Sequence, residues 1–318
     1  MLVPLGRLVR HPVIQGVLAL GLLGAVVYSV DRVALWRALR TADLLYVAAA
    51  GLLTLPNLAL DGWIWARAAR PRVVMPWRTW AGATLCGCAA GFVTPAQLGE
   101  FPARAWAVPR ADRWTLVGAV GVQRVMDLWA ALAGGLVGVG GLLAADVLPA
   151  PTLWGLVVGA TAGTLAGLSW VMLRPGRVVA WLRRWSRTRP AARRLLFLRD
   201  LSPLRVGLLL GATLVRYALY AGQFVLLAWA FAPSLPVGLL AAASGFIFFV
   251  KVLLPSLALD LGIREGTALF AFAQLGWPAP AAVGAALLLF VLNVAVPAGL
   301  GALVLHRRLA LSSSPLPA

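Results

Sequence analysis

The chain has 318 residues, of which 61% are hydrophobic and 12% charged, with a mean hydropathy of +0.89. A soluble globular domain is excluded, because several apolar runs reach or approach the ~20 residues that cross a bilayer as a helix. A transmembrane β-barrel is excluded too: its ~10-residue segments alternate in polarity, whereas these runs are apolar throughout. The formal charge is +18 and uneven, with ten arginines and one aspartate in residues 174–205. In a soluble protein such a run suggests nucleic acid. Between two apolar spans it predicts a cytoplasmic loop facing anionic headgroups, and nucleic acid is set aside as a partner.

In chain order, a basic lead with Arg7 and Arg10 precedes a first span over residues 12–30. The run is longer than a signal-peptide core and has no clear small-residue cleavage site, so it reads as a span that starts in the cytoplasm. Residues 31–43 predict a short interfacial helix. Residues 44–65 form the second span, with Asn57 and Asp61 toward its end and Trp63 and Trp65 at headgroup level. Cys86 and Cys88, in the next apolar segment, suit packing better than a metal or a disulfide.

From 77 to 109 the apolar run is interrupted at Thr94-Pro95 and again from Gly99 to Pro102. Proline suits a first helical turn and not an interior, so each proline starts a new helical piece. The segment reads as a re-entrant hairpin that brings Arg110 and Arg113 back to the cytoplasm; two closely packed full spans are the other reading. Residues 114–144 and 153–173 predict two further spans, followed by the Arg-rich loop 174–205.

The second half repeats the plan with a span at 206–232, a stretch at 237–275 broken at Pro255 and Gly262, and a final span at 278–305. The predicted fold is all-α: a single integral membrane domain with about six full spans plus two re-entrant or broken helical hairpins. The halves, 12–173 and 206–305, form an inverted-repeat arrangement. The loops assigned to the outside carry only Arg32, Arg37 and Arg40. Both termini are therefore expected in the cytoplasm of a cell inner-membrane protein.

The most polar stretch within this apolar frame is GFVTPAQLGEFPARAW, residues 91–106. Irregular backbone at bilayer depth is tolerated only where it is buried in protein or lines a wet cavity. A loose echo, LPSLALDLGIREGTAL, occupies residues 254–269. Intramembrane ionisable groups mark functional sites by default. Glu100 and Arg104, four apart, share a helical face, as do Arg124 and Asp127, and Asp260 and Arg264. Each pair is expected to neutralise itself, with Glu265 turned about a hundred degrees away. Arg216, Tyr220 and Gln223 form a polar stripe, Gln97 precedes the first glycine, and Lys251 is the chain's single lysine. Gly99 and Gly262 stand ahead of helix starts and would offer backbone N–H groups to an anion. With Asp61 left aside as interfacial, embedded cations outnumber acids by one, a cavity able to take one phosphate. Packing alone, with paired ions holding helices together, is the competing account of each pair.

The only histidines, His11 and His306, lie at the edges of the apolar core, and no H-E-x-x-H, G-x-S-x-G or P-loop occurs. No enzyme activity, metal or cofactor is expected.

Pro95 to Arg104 with Gly99 and Glu100, then Arg124 with Asp127, then Gly262, Arg264 and Glu265, in that order, resemble the transmembrane, flippase-like region of lysylphosphatidylglycerol synthases and its stand-alone relatives. Leu98-Gly99 replaces that family's double glycine, and Pro102 is an intrusion. The resemblance implies translocation or binding of an anionic lipid, a phospholipid or polyprenyl phosphate, without the soluble aminoacyl-transferring domain. The expected partners are thus the bilayer and this lipid, with a homo-oligomer left open. An intramembrane lipid-modifying enzyme and a non-transporting scaffold are the alternatives.

Overall fold

A computed structural model describes residues 32–109, 111–184, 196–254 and 262–313, together with Gly24 and Tyr28. The expected first span, Arg110, the Pro255 break and Asp260 lie outside these residues. The helices are α1 (Arg32–Thr41), α2 (Leu44–Ala69), α3 (Trp77–Phe92), α4 (Glu100–Trp106), α5 (Arg113–Ala144), α6 (Pro151–Leu173) and α7 (Pro175–Arg184). In the second half they are α8 (Pro203–Phe231), α9 (Val237–Leu253), α10 (Ile263–Gln274), α11 (Ala279–Phe290) and α12 (Val296–Ser313), with a π-turn at Val291–Ala295. The described residues contain no strand. Among the described residues, five helical stretches are long and apolar enough to cross a membrane: α2, α5, α6, α8 and the run Ala279–Arg307.

Polar residues start these helices where the sequence leaves apolar runs. Asp43 accepts from Leu45 N at 2.8 Å, and Asp112 accepts from Trp114 N at 3.0 Å. The Thr115 hydroxyl also donates to Asp112, and this bond foremost holds that carboxyl below the usual carboxylate range.

The first broken segment is a hairpin. At a rise of 1.5 Å per residue, the seven residues of α4 extend about 10 Å, far short of a ~30 Å hydrocarbon core. The chain folds back on itself: a Cβ on Gly87 would stand 2.8 Å from Arg104 Cγ, and one on Gly91 would stand 3.5 Å from Gln97 Cβ. The second segment pairs the 17-residue α9 with the 12-residue α10, where Phe246 and Phe270 stack at 6.1 Å.

The two halves run in opposite directions. Near the end of α8, Gln223 donates to Ala50 O at 2.8 Å and Thr54 Oγ1 at 2.9 Å, near the start of α2. Arg216, two turns earlier on α8, meets Asp61, further along α2, at 3.0 Å. Exchanging α2 with α8, the first hairpin with the second, and α5 with the α11–α12 run reproduces the main helix pairings, including α5 on α9 and α12 on α3. This pattern is the expected inverted repeat. The helix α1 packs on α11 through Leu35 and Val283, and α6 packs on α5. Part of the Arg-rich loop is ordered as α7, and Phe197 beyond it fills the space left by Gly118.

Two apolar cores flank a polar layer. One gathers Trp65, Leu116, Met126 and Leu209; the other gathers Leu132, Phe224, Phe246 and Phe272. The helices α5 and α8 enter both, so their middle turns, with Asp127 and Arg216, fall between them.

The α5–α9 crossing depends on glycines. A Cβ on Gly138 would stand 2.5 Å from Phe246 N, backbone that cannot turn aside, whereas Gly140 faces open space. Gly138→Ala should cost about 1–3 kcal/mol by overpacking, and Gly140→Ala should be neutral. Thermal unfolding of the detergent-solubilised protein measures both, and equal midpoints would contradict the close crossing.

Candidate functional site

The polar layer is a network of ions drawn from four helices. Asp61 on α2 is its centre. Its Oδ1 meets Arg216 Nη2 at 3.0 Å and accepts from Gln123 Nε2 at 2.7 Å, while its Oδ2 pairs with Arg104 Nη2. Gln123 also donates to Asp61 O at 3.0 Å and accepts from Arg104 Nη1 at 3.1 Å, so its amide bridges the two charges. Arg104 pairs along its own helix with Glu100 at 2.5 Å, as the four-residue spacing predicts. The ring of Trp65 lies 5.5 Å from the Arg104 guanidinium.

Two expectations are corrected here. Asp61, left aside from the embedded charges, belongs with them: it is 9% exposed and holds two helices' arginines. Trp65 beside it is fully buried within the protein, with Nε1 donating to Leu116 O at 3.1 Å. Arg124 and Asp127 do not neutralise each other. Arg124 pairs with Glu100 and donates to Gln97 Oε1 at 2.9 Å, and Asp127 accepts from Arg216 Nη1 at 2.5 Å. The physical reason is common to both. Helices from both halves converge on this layer, and a cross-helix partner at 3 Å wins over a flexible neighbour on the same helix.

Restoring Asp61 also changes the charge count. Arg104, Arg124 and Arg216 face Asp61, Glu100 and Asp127, three against three, so the inner cluster carries no surplus cation.

The anion-facing glycines are occupied as well. Gly99 N donates to Thr94 Oγ1 at 2.7 Å. Gly262 N donates to Glu265 Oε2 at 2.7 Å, an N3 glutamate reaching back to its cap. Gly262 has φ of 85°, a conformation that glycine alone adopts without strain. Glu265 also holds Arg264 Nη2 at 2.5 Å, which reverses the expectation that Glu265 points away. Arg264 is 2% exposed, with Phe290 5.7 Å away and Tyr220 beside its guanidinium. Asp260, its expected partner, lies outside the described residues. Gln223 is fully buried and ties α8 to α2.

Two cavities border the ion cluster. The smaller, of 110 Å³, is walled by Asp61, Glu100 and Arg104 together with Cys88 and Pro297. The larger, of 540 Å³, is lined by Arg124, Arg216, Lys251, Asp127, Tyr217 and Tyr220 on its polar side and by Leu128, Val252 and Leu254 on its apolar side. Gln97, Asn57 and Asn293 face both. Gln97 is aimed inward by a turn in which Ala96 and Gln97 have φ of 49° and 56°. Successive non-glycine residues in this region cost about 1–2 kcal/mol each, strain that clusters at functional sites.

Sequence reasoning missed Asp61, Asn57, Gln123 and Asn293. Asn57 Nδ2 donates to Asn293 Oδ1 at 2.8 Å, joining α2 to the π-turn. The available signal was the four-residue spacing of Asn57 and Asp61, one polar stripe matching that of α8.

Removing one partner of a buried ion pair leaves the other uncompensated and costs about 3–5 kcal/mol. Asp61→Leu should destabilise by that order, and Asp61→Leu with Arg216→Met by less than Asp61→Leu alone. Denaturant titration of the purified protein checks the order; equal stability of Asp61→Leu and wild type would contradict the hub.

No curated protein matches this sequence. The family model for the lysylphosphatidylglycerol synthase TM region matches residues 13–301. A multi-pass helical membrane protein whose match runs through both hairpins and the whole ion cluster, this chain belongs to the lysylphosphatidylglycerol synthase TM region family.

Proposed function

We propose that the protein is a flippase-like lipid transporter of the cell inner membrane that takes the headgroup of an anionic lipid into the 540 Å³ cavity. The observation that carries this reading is the set of donors on that cavity's wall: Arg124 and Arg216, through which the neutral cluster faces this cavity, stand beside Lys251, a cation outside the three-against-three count. An anion there shares guanidinium donors with the cluster's carboxylates and meets Lys251 as well. Arg216 Nε and the Tyr217 hydroxyl are buried there with no hydrogen-bond partner among the described residues, two donors that phosphate oxygens would satisfy. The apolar flank at Leu128, Val252 and Leu254 suits the acyl chains, which stay in the bilayer.

Membership of the family supports lipid handling, and the unequal distribution of arginines supports cytoplasmic termini. A phospholipid or a polyprenyl phosphate has the required chemistry. With no nucleotide-binding motif in the sequence, transport would run downhill or be coupled to an ion.

Arg124 and Lys251 are the residues to substitute, because the Arg124 side chain is 39% exposed and its buried partner Glu100 keeps its pair with Arg104. In vesicles, wild type should translocate a fluorescent phosphatidylglycerol faster than a phosphatidylcholine, and Arg124→Ala with Lys251→Ala should remove that preference while the unfolding midpoint is retained. Undiminished anionic-lipid translocation by the folded double variant would rule the reading out.

A further inference from the structure

The two cavities occupy equivalent places in the two halves. The large one has α8 as its floor and α5 and α9 as its walls; the small one has α2 as its floor and α3 and the α11–α12 run as its walls. The exchange that maps α2 onto α8, α3 onto α9 and α5 onto α11–α12 therefore maps one cavity onto the other. Yet their volumes are 540 Å³ and 110 Å³.

The difference lies in how the wall helices diverge. At one end α5 and α9 are in backbone contact, where a Cβ on Gly245 would stand 2.7 Å from Gly134 O. Further along they part, and Leu128 and Leu254 at the cavity rim are 37% and 47% exposed. The counterpart pair stays together. Gly301 lies on the Leu85 carbonyl, and at the other end the Phe92 and Phe290 rings still meet at 6.5 Å. Between the cavities stands a thin partition, the 2.8 Å hydrogen bond from Asn57 to Asn293. Asn293 sits in a π-turn, a distortion frequent at functional sites.

We infer that α3 and α12 form a second lateral opening, closed in this conformation, and that the protein alternates between an opening at α5 and α9 and one at α3 and α12. The inference rests on the anionic-lipid reading above. Arg124 and Arg216 line both cavities, so the headgroup keeps its cations when the open side changes. The acyl chains leave past Leu128 and Leu254 in one state and past Phe92 in the other. Because the halves are inverted, the two openings serve opposite leaflets.

The test is a cross-link across the closed side. Phe92→Cys and Phe290→Cys are introduced with Cys86→Ala and Cys88→Ala, and the pair is joined by a short, reductively cleavable bismaleimide. The joined protein should still retain phosphatidylglycerol in native mass spectrometry but translocate it no faster than protein-free vesicles, and cleavage should restore the rate. Translocation by the joined protein at the unjoined rate would overturn the inference.

Spin labels at Val93 and Leu300 give a measure independent of lipid and of the cross-link. Two distance populations are expected, with the longer one falling as the Leu128 to Leu253 distance rises; a single short distance in detergent and in vesicles would overturn alternation. Two populations in a protein that retains no anionic lipid would support alternation and overturn the lipid reading instead.

Discussion

The carboxylate of Asp61 is the constraint on which the rest of the polar layer depends. It is shared by Arg104 from the first hairpin and Arg216 from α8, with Gln123 of α5 donating to the oxygen that Arg216 meets. Unlike-charge attraction at about 3 Å grows as water is removed, but so does the cost of taking each ion out of water. Such a cluster is therefore a weak source of net stability. What it supplies is register: α2, α4, α5 and α8 each have one height at which every guanidinium finds a carboxylate. A slip of one turn in any of them leaves an unpaired charge between two apolar cores, a far larger penalty than the packing differences among alternatives.

On the proposed lipid reading, the balance of the cluster also governs how an anion is held. Were Arg104, Arg124 and Arg216 in excess over their carboxylates, a headgroup would be gripped among them and released slowly. With each carboxylate already engaged, an incoming phosphate must compete for guanidinium donors, and the accessible ones are Arg124 and Arg216 at the cavity wall. Arg216 is held by Asp61 and Asp127 together, so a phosphate reaching it exchanges one anionic partner for another at little electrostatic cost. In the proposed transporter, exchange of this kind would permit binding that is selective by charge without being tight, which a transport cycle requires.

Much of the fold was legible in the sequence because hydrophobic run length and proline positions are one-dimensional signals. The hairpins followed from Pro95, Gly99 and Gly262, the spans from apolar run length, and α1 from the mixed-charge stretch between two of them. Pairing was not legible to the same degree. Glu100 with Arg104 follows from helical spacing, but Arg124 with Glu100 and Arg216 with Asp61 are made across helices, and no spacing rule reaches across 155 residues from Asp61 to Arg216. Asp61 was left out of the embedded charges because the neighbouring tryptophans drew the eye to the end of the span, whereas its partners Arg104 and Arg216 come from other helices. Gly99 and Gly262 look like free anion-binding termini in sequence; their N–H groups are filled by Thr94 and Glu265, local side chains whose rotamers the sequence does not display.

The scaffold is repeated, but its charges are not. In the first half the ions of the hairpin reach outward, Glu100 to α5 and Arg104 to α2. In the second half Arg264 and Glu265 close on each other, and the glutamate spends its second oxygen on Gly262. The backbone thus offers two related places for a cavity, whereas the arginines and their carboxylates are gathered in one cluster beside the partition. On the proposed reading, a symmetric pair of binding sites would give a headgroup two resting places and a barrier between them. One off-centre cluster bordered by two cavities would give it a single resting place and two routes out. For a molecule whose tails must change leaflet while its charge stays solvated by guanidinium groups, the second arrangement keeps the costly part of the lipid in the same environment throughout, and leaves only helix packing, which the repeat makes nearly equivalent on the two sides, to change.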